Sequence, residues 1–236
     1  MKKITFYIIT ALMAALLLSG CTGAIVTETR EVSGFSAISI STFGEIEIRQ
    51  GDTESLTISA PSDYMRYIET EVENGTLLIS TRKGFIGAPT RRVEFILTVK
   101  DLKSLHFSGA GVIKVMDKLQ TSTFSLNMSG AGSIEIEDLT ADTLTVNFSS
   151  AGAIVIAGSV ENQSVNLSGV GSYEAGDLQS KVASVNLSGA GSATIWAVDS
   201  LDVTVSGVGS VGYYGSPRVT QNVSGLGSVN SKGEHR

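Results

Sequence analysis

Helical periodicity is missing from most of this sequence. Throughout the stretch from Ser108 to Ser231 no apolar residues recur at the 3.6-residue interval of a helix, which excludes helical solenoids. Cysteine is nearly absent as well. Cys21 is the single one, so no intramolecular disulfide is available and stability must come from burial and backbone hydrogen bonds. Histidine is limited to His106 and His235, too few and too far apart to offer the many serines a base for nucleophilic catalysis. Basic residues number 17 against 23 acidic ones, a formal charge of −6 that argues against nucleic acid or an acidic surface as partner. Long apolar runs are also lacking, apart from Ile4 to Leu18, which is shorter than a typical membrane span.

What fills the chain instead is one recurring phrase. It reads SGAG from Ser108, SGAG from Ser129, SSAG from Ser149, SGVG from Ser168, SGAG from Ser188, SGVG from Ser206 and SGLG from Ser224. Successive starts lie 21, 20, 19, 20, 18 and 18 residues apart. A period near twenty marks a stacked repeat, in which each unit completes its core against its neighbour. Alternating runs flank the phrase, as in Leu126-Asn127-Met128 before it and Ile134-Glu135-Ile136 after it. That is the strand period, with Leu126, Met128, Ile134 and Ile136 facing in.

In-register parallel stacking turns each repeat position into a column. One column reads His106, Asn127, Asn147, Asn166, Asn186, Thr204, Asn222, and its amides are placed to bond from rung to rung as a structural ladder. The second glycine of the phrase is invariant: Gly111, Gly132, Gly152, Gly171, Gly191, Gly209 and Gly227. It needs either a positive φ or an approach too close for a Cβ, whereas the first glycine, replaced by Ser150 in one unit, is only preferred. The expected architecture is a single-stranded β-solenoid of about seven regular coils, near 29 Å long at about 4.8 Å per rung. The competing arrangement is an antiparallel meander with the phrase as its hairpin turn.

Around this array the sequence divides into 1–20, 21–31, 32–107, 108–231 and 232–236. Lys2 and Lys3, the apolar run and Leu18-Ser19-Gly20-Cys21 read as a signal peptide that resembles a bacterial lipobox, which implies cleavage before Cys21 and lipidation of its sulfur. Thr22, not Asp, follows that cysteine, the default signal for the outer membrane. Without Lys2 and Lys3 the formal charge becomes −8. Residues 21–31 read as a tether. Residues 32–107 read as an irregular β cap, in which Ser41-Thr42-Phe43-Gly44 takes the place of the later phrase. A helix of one or two turns is expected from Tyr64 to about Glu69, a turn at Asn74-Gly75, and an exposed loop over Arg82–Arg92 whose four cations form at most a weak polyanion site. Residues 232–236 form a charged tail that would shield the last strand edge.

Candidate sites are few. Asp117, Asp138 and Asp177 share a repeat position interrupted by Gly158, yet the place where calcium repeats carry Asp holds Ile113, Ile134 or Tyr173. The column Lys114, Glu135, Val155, Glu174, Thr194 spreads its charges without the clustered acids that a β-helix glycosidase or lyase needs. Gly-x-Gly recurring seven times without a following helix is no nucleotide loop. Trp196 points outward by alternation and, with Tyr213 and Tyr214, is a candidate for sugar stacking or for edge packing.

Taken together, Val32-x-x-Phe35-x-x-Ile38, Gly44-x-Ile46-x-Ile48-x-Gln50-Gly51, Asn74-Gly75-Thr76-Leu77, Leu102-x-x-Leu105 and the recurring Ser-Gly-x-Gly resemble the bacterial head GIN domain over Val32 to Asn230. The resemblance implies a right-handed parallel β-helix and an adhesion role, and it brings no functional residues with it. The expected function is a non-enzymatic, lipid-anchored cell-envelope protein with no metal or cofactor, held to the membrane at Cys21, with a glycan or protein surface as the possible ligand. A carbohydrate-active β-helix enzyme and a purely structural envelope lipoprotein are the alternatives.

Overall fold

The computed structural model describes residues 23–89 and 91–235; the stretch read as a signal peptide, and Cys21, lie outside the described residues. In chain order the elements begin with β1 (Ile25–Arg30), β2 (Ala37–Ser41), β3 (Phe43–Gln50), β4 (Ser55–Pro61), α1 (Ser62–Met65), β5 (Ile68–Glu73) and β6 (Thr76–Thr81). Then come β7 (Glu94–Val99), β8 (Ser104–Phe107), β9 (Ala110–Gln120), β10 (Thr123–Met128), β11 (Ala131–Phe148) and β12 (Ala151–Leu167). The array ends with β13 (Val170–Leu187), β14 (Ala190–Val205), β15 (Val208–Tyr214), β16 (Arg218–Val223) and β17 (Leu226–Ser231).

From β8 onward every pairing is parallel, in register along each face with shifts where the faces meet, so the meander is ruled out and the chain is a β-helix. It makes about six turns of about twenty residues, and not seven, because Ser224 opens only the short strand β17. Each turn has three faces. The first carries the Asn column, the second the column Lys114–Glu135–Val155–Glu174–Thr194, and the third a short run such as Leu139-Thr140-Ala141. Inward positions on all three faces, among them Leu126, Met128, Ile134, Ile136 and Leu139, are fully or almost fully buried. Each such side chain contributes about 1.5–3 kcal/mol relative to exposure.

The repeat stack reaches further back than Ser108. The rung made by β2 and β3 seats Phe43 beneath Ala110 and Gly44 beneath Gly111, and β6 and β7 form another rung below it. Antiparallel strands then close this end: β5 on β6, and β4 on β7 with β1 outside it. Residues 25–30 are therefore a strand and not a tether. Ile25-Val26-Thr27 with Thr29 is β-branched, and the antiparallel register to β4 satisfies its backbone. The helix is also shorter than the sequence suggests. Ile68, Thr70 and Val72 alternate, and the Asn74-Gly75 turn, with φ of 49° and 76°, folds them as β5 against β6.

At the other end β16 pairs only with β14, and β17 only with β15, among the described residues. The tail does not cover that edge. It extends the β17 ladder along β15, with Lys232 N–H donating to Tyr213 O (2.7 Å) and Gly215 N–H donating to Gly233 O (2.9 Å), before His235 reaches back to Asp177.

Candidate binding surface

Register fixes two corners of each coil in different ways. At the Ser-Gly-x-Gly corner the glycines stack directly on one another. A Cβ on Gly132 would land on the carbonyl oxygen of Gly111, and one on Gly171 on that of Gly152. Gly132 also has φ of 131°, whereas Gly191 and Gly227 lie outside the positive region, so close approach is the requirement common to the column. The first glycines are nearly as crowded: a Cβ on Gly130 would meet the carbonyl of Gly109. The asymmetry between the two glycines is thus narrower than the sequence suggests. Ser150 is the exception that the first column tolerates, buried with an Oγ that finds no protein partner.

On the first face, Asn147 Nδ2 donates to Asn127 Oδ1 (2.9 Å) and Asn166 Nδ2 donates to Asn147 Oδ1 (3.1 Å). Asn186 and Asn222 stand in the same register, with Thr204 between them. His106 heads this column, between Ser39 and Asn127. Inside, Tyr173 takes the place that Ile154 and Ala193 hold in the adjacent turns, and Gln163 Nε2 donates to its hydroxyl (2.6 Å). Burial pushes the Tyr173 hydroxyl pKa well above the usual phenol range, against a lowering by that hydrogen bond.

The corner between the second and third faces is the variable one. It holds Met116-Asp117-Lys118 in one turn, Glu137-Asp138 in the next, then Ala157, then Gly176-Asp177, and no residue at all between Ile195 and Trp196. Over the first four units this corner accounts for the change in repeat length from 21 to 20 to 19 and back to 20. It also dissolves the aspartate column. Asp138 aligns with Lys118, Asp117 sits in a bulge at φ 60°, and Gly158 takes the inward place of Leu139 and Leu178. Among the described residues no group of three or more His, Cys, Asp or Glu side chains is placed to hold a metal ion.

Where that corner shortens, a surface forms that the sequence does not announce. The outward positions of the third face line up as Gln120, Thr140, Ser159, Gln179, Trp196 and Tyr214, one per rung. Gln50 closes the first end, its Oε1 accepting from Gln120 N–H (2.8 Å) and its Nε2 donating to Gln120 O (3.0 Å). The first four of these side chains line a trough of about 690 Å³. Beside it Lys181 Nζ lies 2.6 Å from Glu161 Oε2, and that hydrogen bond, with the carboxylate's charge, raises the lysine pKa above its ordinary value.

At the aromatic end the tail is docked. The imidazole of His235 lies flat on the indole of Trp196, with centroids 4.0 Å apart and planes 4° apart, and edge-on to Tyr214 at 5.4 Å. Its Nε2–H donates to Asp177 Oδ1 (2.9 Å). Ser216 Oγ donates to Glu234 Oε1 (2.6 Å), and Lys232 Nζ stands 5.6 Å from the Tyr214 ring centroid. Of the tyrosine pair, Tyr213 aligns with inward Ile195 and packs on the core, so only Tyr214 belongs to the surface. In the Arg82–Arg92 loop two of the four cations are ion-paired. Arg82 pairs with Glu69 (2.6 Å), and Arg92 pairs with Glu45 and with Glu94 (2.9 Å).

A family model described as "Putative auto-transporter adhesin, head GIN domain" matches residues 34–217. The chain is similar to the crystal structure of a "putative adhesin" from Bacteroides fragilis, at 27% identity and a TM-score of 0.86 over 88% of this chain and 97% of that one. It is also similar to a "putative lipid binding protein" from Parabacteroides distasonis, at 25% identity and a TM-score of 0.71 over 89% and 97%. A "putative adhesin" from Parabacteroides merdae, 20% identical with a TM-score of 0.65 over 89% and 96%, shares the fold. A search of curated proteins returns no match.

Proposed function

Since the chain belongs to the head GIN domain family, we propose that it is a non-enzymatic, lipid-anchored protein of the cell envelope that uses the long side of its solenoid for adhesion. The observation that carries this reading is the row from Gln120 to Tyr214. It presents amides and hydroxyls at one rung spacing along a trough, with Trp196 and Tyr214 in the same row beyond its end, which suits holding an extended ligand. Cleavage would call for a free pair of carboxylates or a carboxylate with a base across the trough; of the two carboxylates that line it, Asp142 and Glu161, the second is engaged by Lys181. The adhesin-like relatives support a place in the envelope. The lipobox at Leu18–Cys21 supports attachment through Cys21, with the outer membrane as the site.

Protease treatment of intact cells tests the adhesion reading. Degradation of this chain with a periplasmic control spared is the expected result. Survival until the cells are lysed would refute it. Cys21→Ala is expected to move the protein from the membrane fraction to the soluble one, and retention in the membrane pellet would contradict the anchor.

A further inference from the structure

The corner that is lost between Ile195 and Trp196 leaves a notch. Beside it lies a cavity of about 580 Å³, lined among others by Val155, Glu174, Gly176, Asp177, Tyr214 and His235. Gly176 keeps it open: a Cβ there would press on the Tyr214 ring. Trp196 does not line this cavity, because the His235 imidazole that does line it covers the indole face.

We propose that Trp196, Tyr214, Asp177 and Glu174 form a binding subsite for a pyranose unit of a neutral polysaccharide, and that His235 is its resident plug. The proposal rests on reading the third face as a binding surface and names the ligand class for its aromatic end. Three observations point to a sugar. A flat ring already occupies the indole face at van der Waals distance, and the apolar C–H face of a pyranose fits the same platform. The Asp177 carboxylate that now accepts from His235 is a ready acceptor for ring hydroxyls. The third-face row runs from Trp196 through Gln179, Ser159 and Thr140, the last three lining the trough, a line of amides and hydroxyls matched to the hydroxyls along a linear glycan. The cavity carries Glu174, Asp177 and Glu234 against the one lysine, Lys232, an excess of negative charge that disfavours an anionic sugar.

The plug is held by a short segment: two backbone hydrogen bonds, the Ser216–Glu234 bond, one stacked ring and one carboxylate. A ligand must displace the ring, so the apparent affinity is reduced by the fraction of molecules in which the platform is bare. A tail seated nine-tenths of the time costs about tenfold.

Trp196 is the only tryptophan, so its fluorescence reports this site alone. The test titrates the purified full-length protein, and its His235→Ala and Asp177→Asn variants, with cellohexaose, xylohexaose and chitohexaose. The expected result is a saturable change in the Trp196 signal with at least one of these probes, about tenfold tighter in His235→Ala than in the parent. Trp196→Ala in the His235→Ala background should abolish retention on the matching immobilised glycan. Equal affinity of parent and His235→Ala would overturn the plug. No saturable change in a His235→Ala protein that melts as the parent does would overturn the subsite. Failure here is distinguishable from failure of the adhesion reading, because protease exposure on intact cells does not depend on this subsite.

Discussion

Two corners of the same coil obey opposite rules. At the Ser-Gly-x-Gly corner, backbone rests on backbone, and all seven occurrences of the phrase keep the second glycine. At the corner between the second and third faces, the chain bulges outward into solvent and carries from three residues to none. A tight corner propagates register because any side chain would push the rungs apart. A loose corner is free to change, and in this molecule the candidate binding features lie along it: the notch, Trp196, and the docked tail. The difference separates the part of the sequence that specifies the fold from the part able to specify a ligand.

The largest predicted effect breaks the tight corner. Gly171→Ala combines a clash with the Gly152 carbonyl and a φ of 155°, and should cost about 3 kcal/mol or more. In a chain of this size that is a fall of about 6–12 °C in Tm by thermal circular dichroism. Gly169→Ala should fall less, since its column already accommodates Ser150 one rung away. An equal or larger loss for Gly169→Ala would erase the distinction between the two glycines.

Next comes the buried pair in the interior. Tyr173→Phe strands the Gln163 amide in the core and should cost about 1–3 kcal/mol. Adding Gln163→Leu, which copies Leu144 of the preceding turn, should recover most of the loss. A double variant no better than Tyr173→Phe would show that the pair is more than a matched polar insertion.

Smaller still is the amide ladder. Asn147→Ala removes both rung-to-rung bonds that its side chain makes, yet this face is exposed, so a loss of about 1 kcal/mol in urea unfolding is expected. A loss beyond about 3 kcal/mol would give the ladder a role equal to that of the glycines.

The sequence makes the tight corner legible because identical chemistry must recur wherever identical backbone contacts recur. Period, alternation, the stacked columns and even the rung of Gly44 beneath Gly111 follow from that rule. The parts that escape are those that do not repeat. Strand β1 finds its partner β4 about thirty residues further on, so Ile25–Arg30 resembles a tether until the pairing is seen. The third face is only two or three residues wide per turn, as in Leu139-Thr140-Ala141, too short for alternation to register. The row through Trp196 therefore stays hidden, and only the outward direction of Trp196 itself is readable, from the preceding Ile195. Equal residue counting also fails across a corner of changing length, which is why Asp117 and Asp138 share a repeat position and not a rung. The docking of His235 depends on an absent corner, and an absence leaves no motif.

Thermal melting of a variant with Gly-Asp-Leu inserted between Ile195 and Trp196, copying Gly176-Asp177-Leu178 of the preceding turn so that Trp196 stays in register with Gln179, tests the contrast most directly. If the two corners divide the labour as described, the insertion shifts stability by no more than about 1 kcal/mol, or about 2–4 °C in Tm, while Trp196 fluorescence changes as the indole leaves its place beneath His235. A melt that falls as far as that of Gly171→Ala would contradict it, since the loose corner would then set the register of the coil as strictly as the tight one.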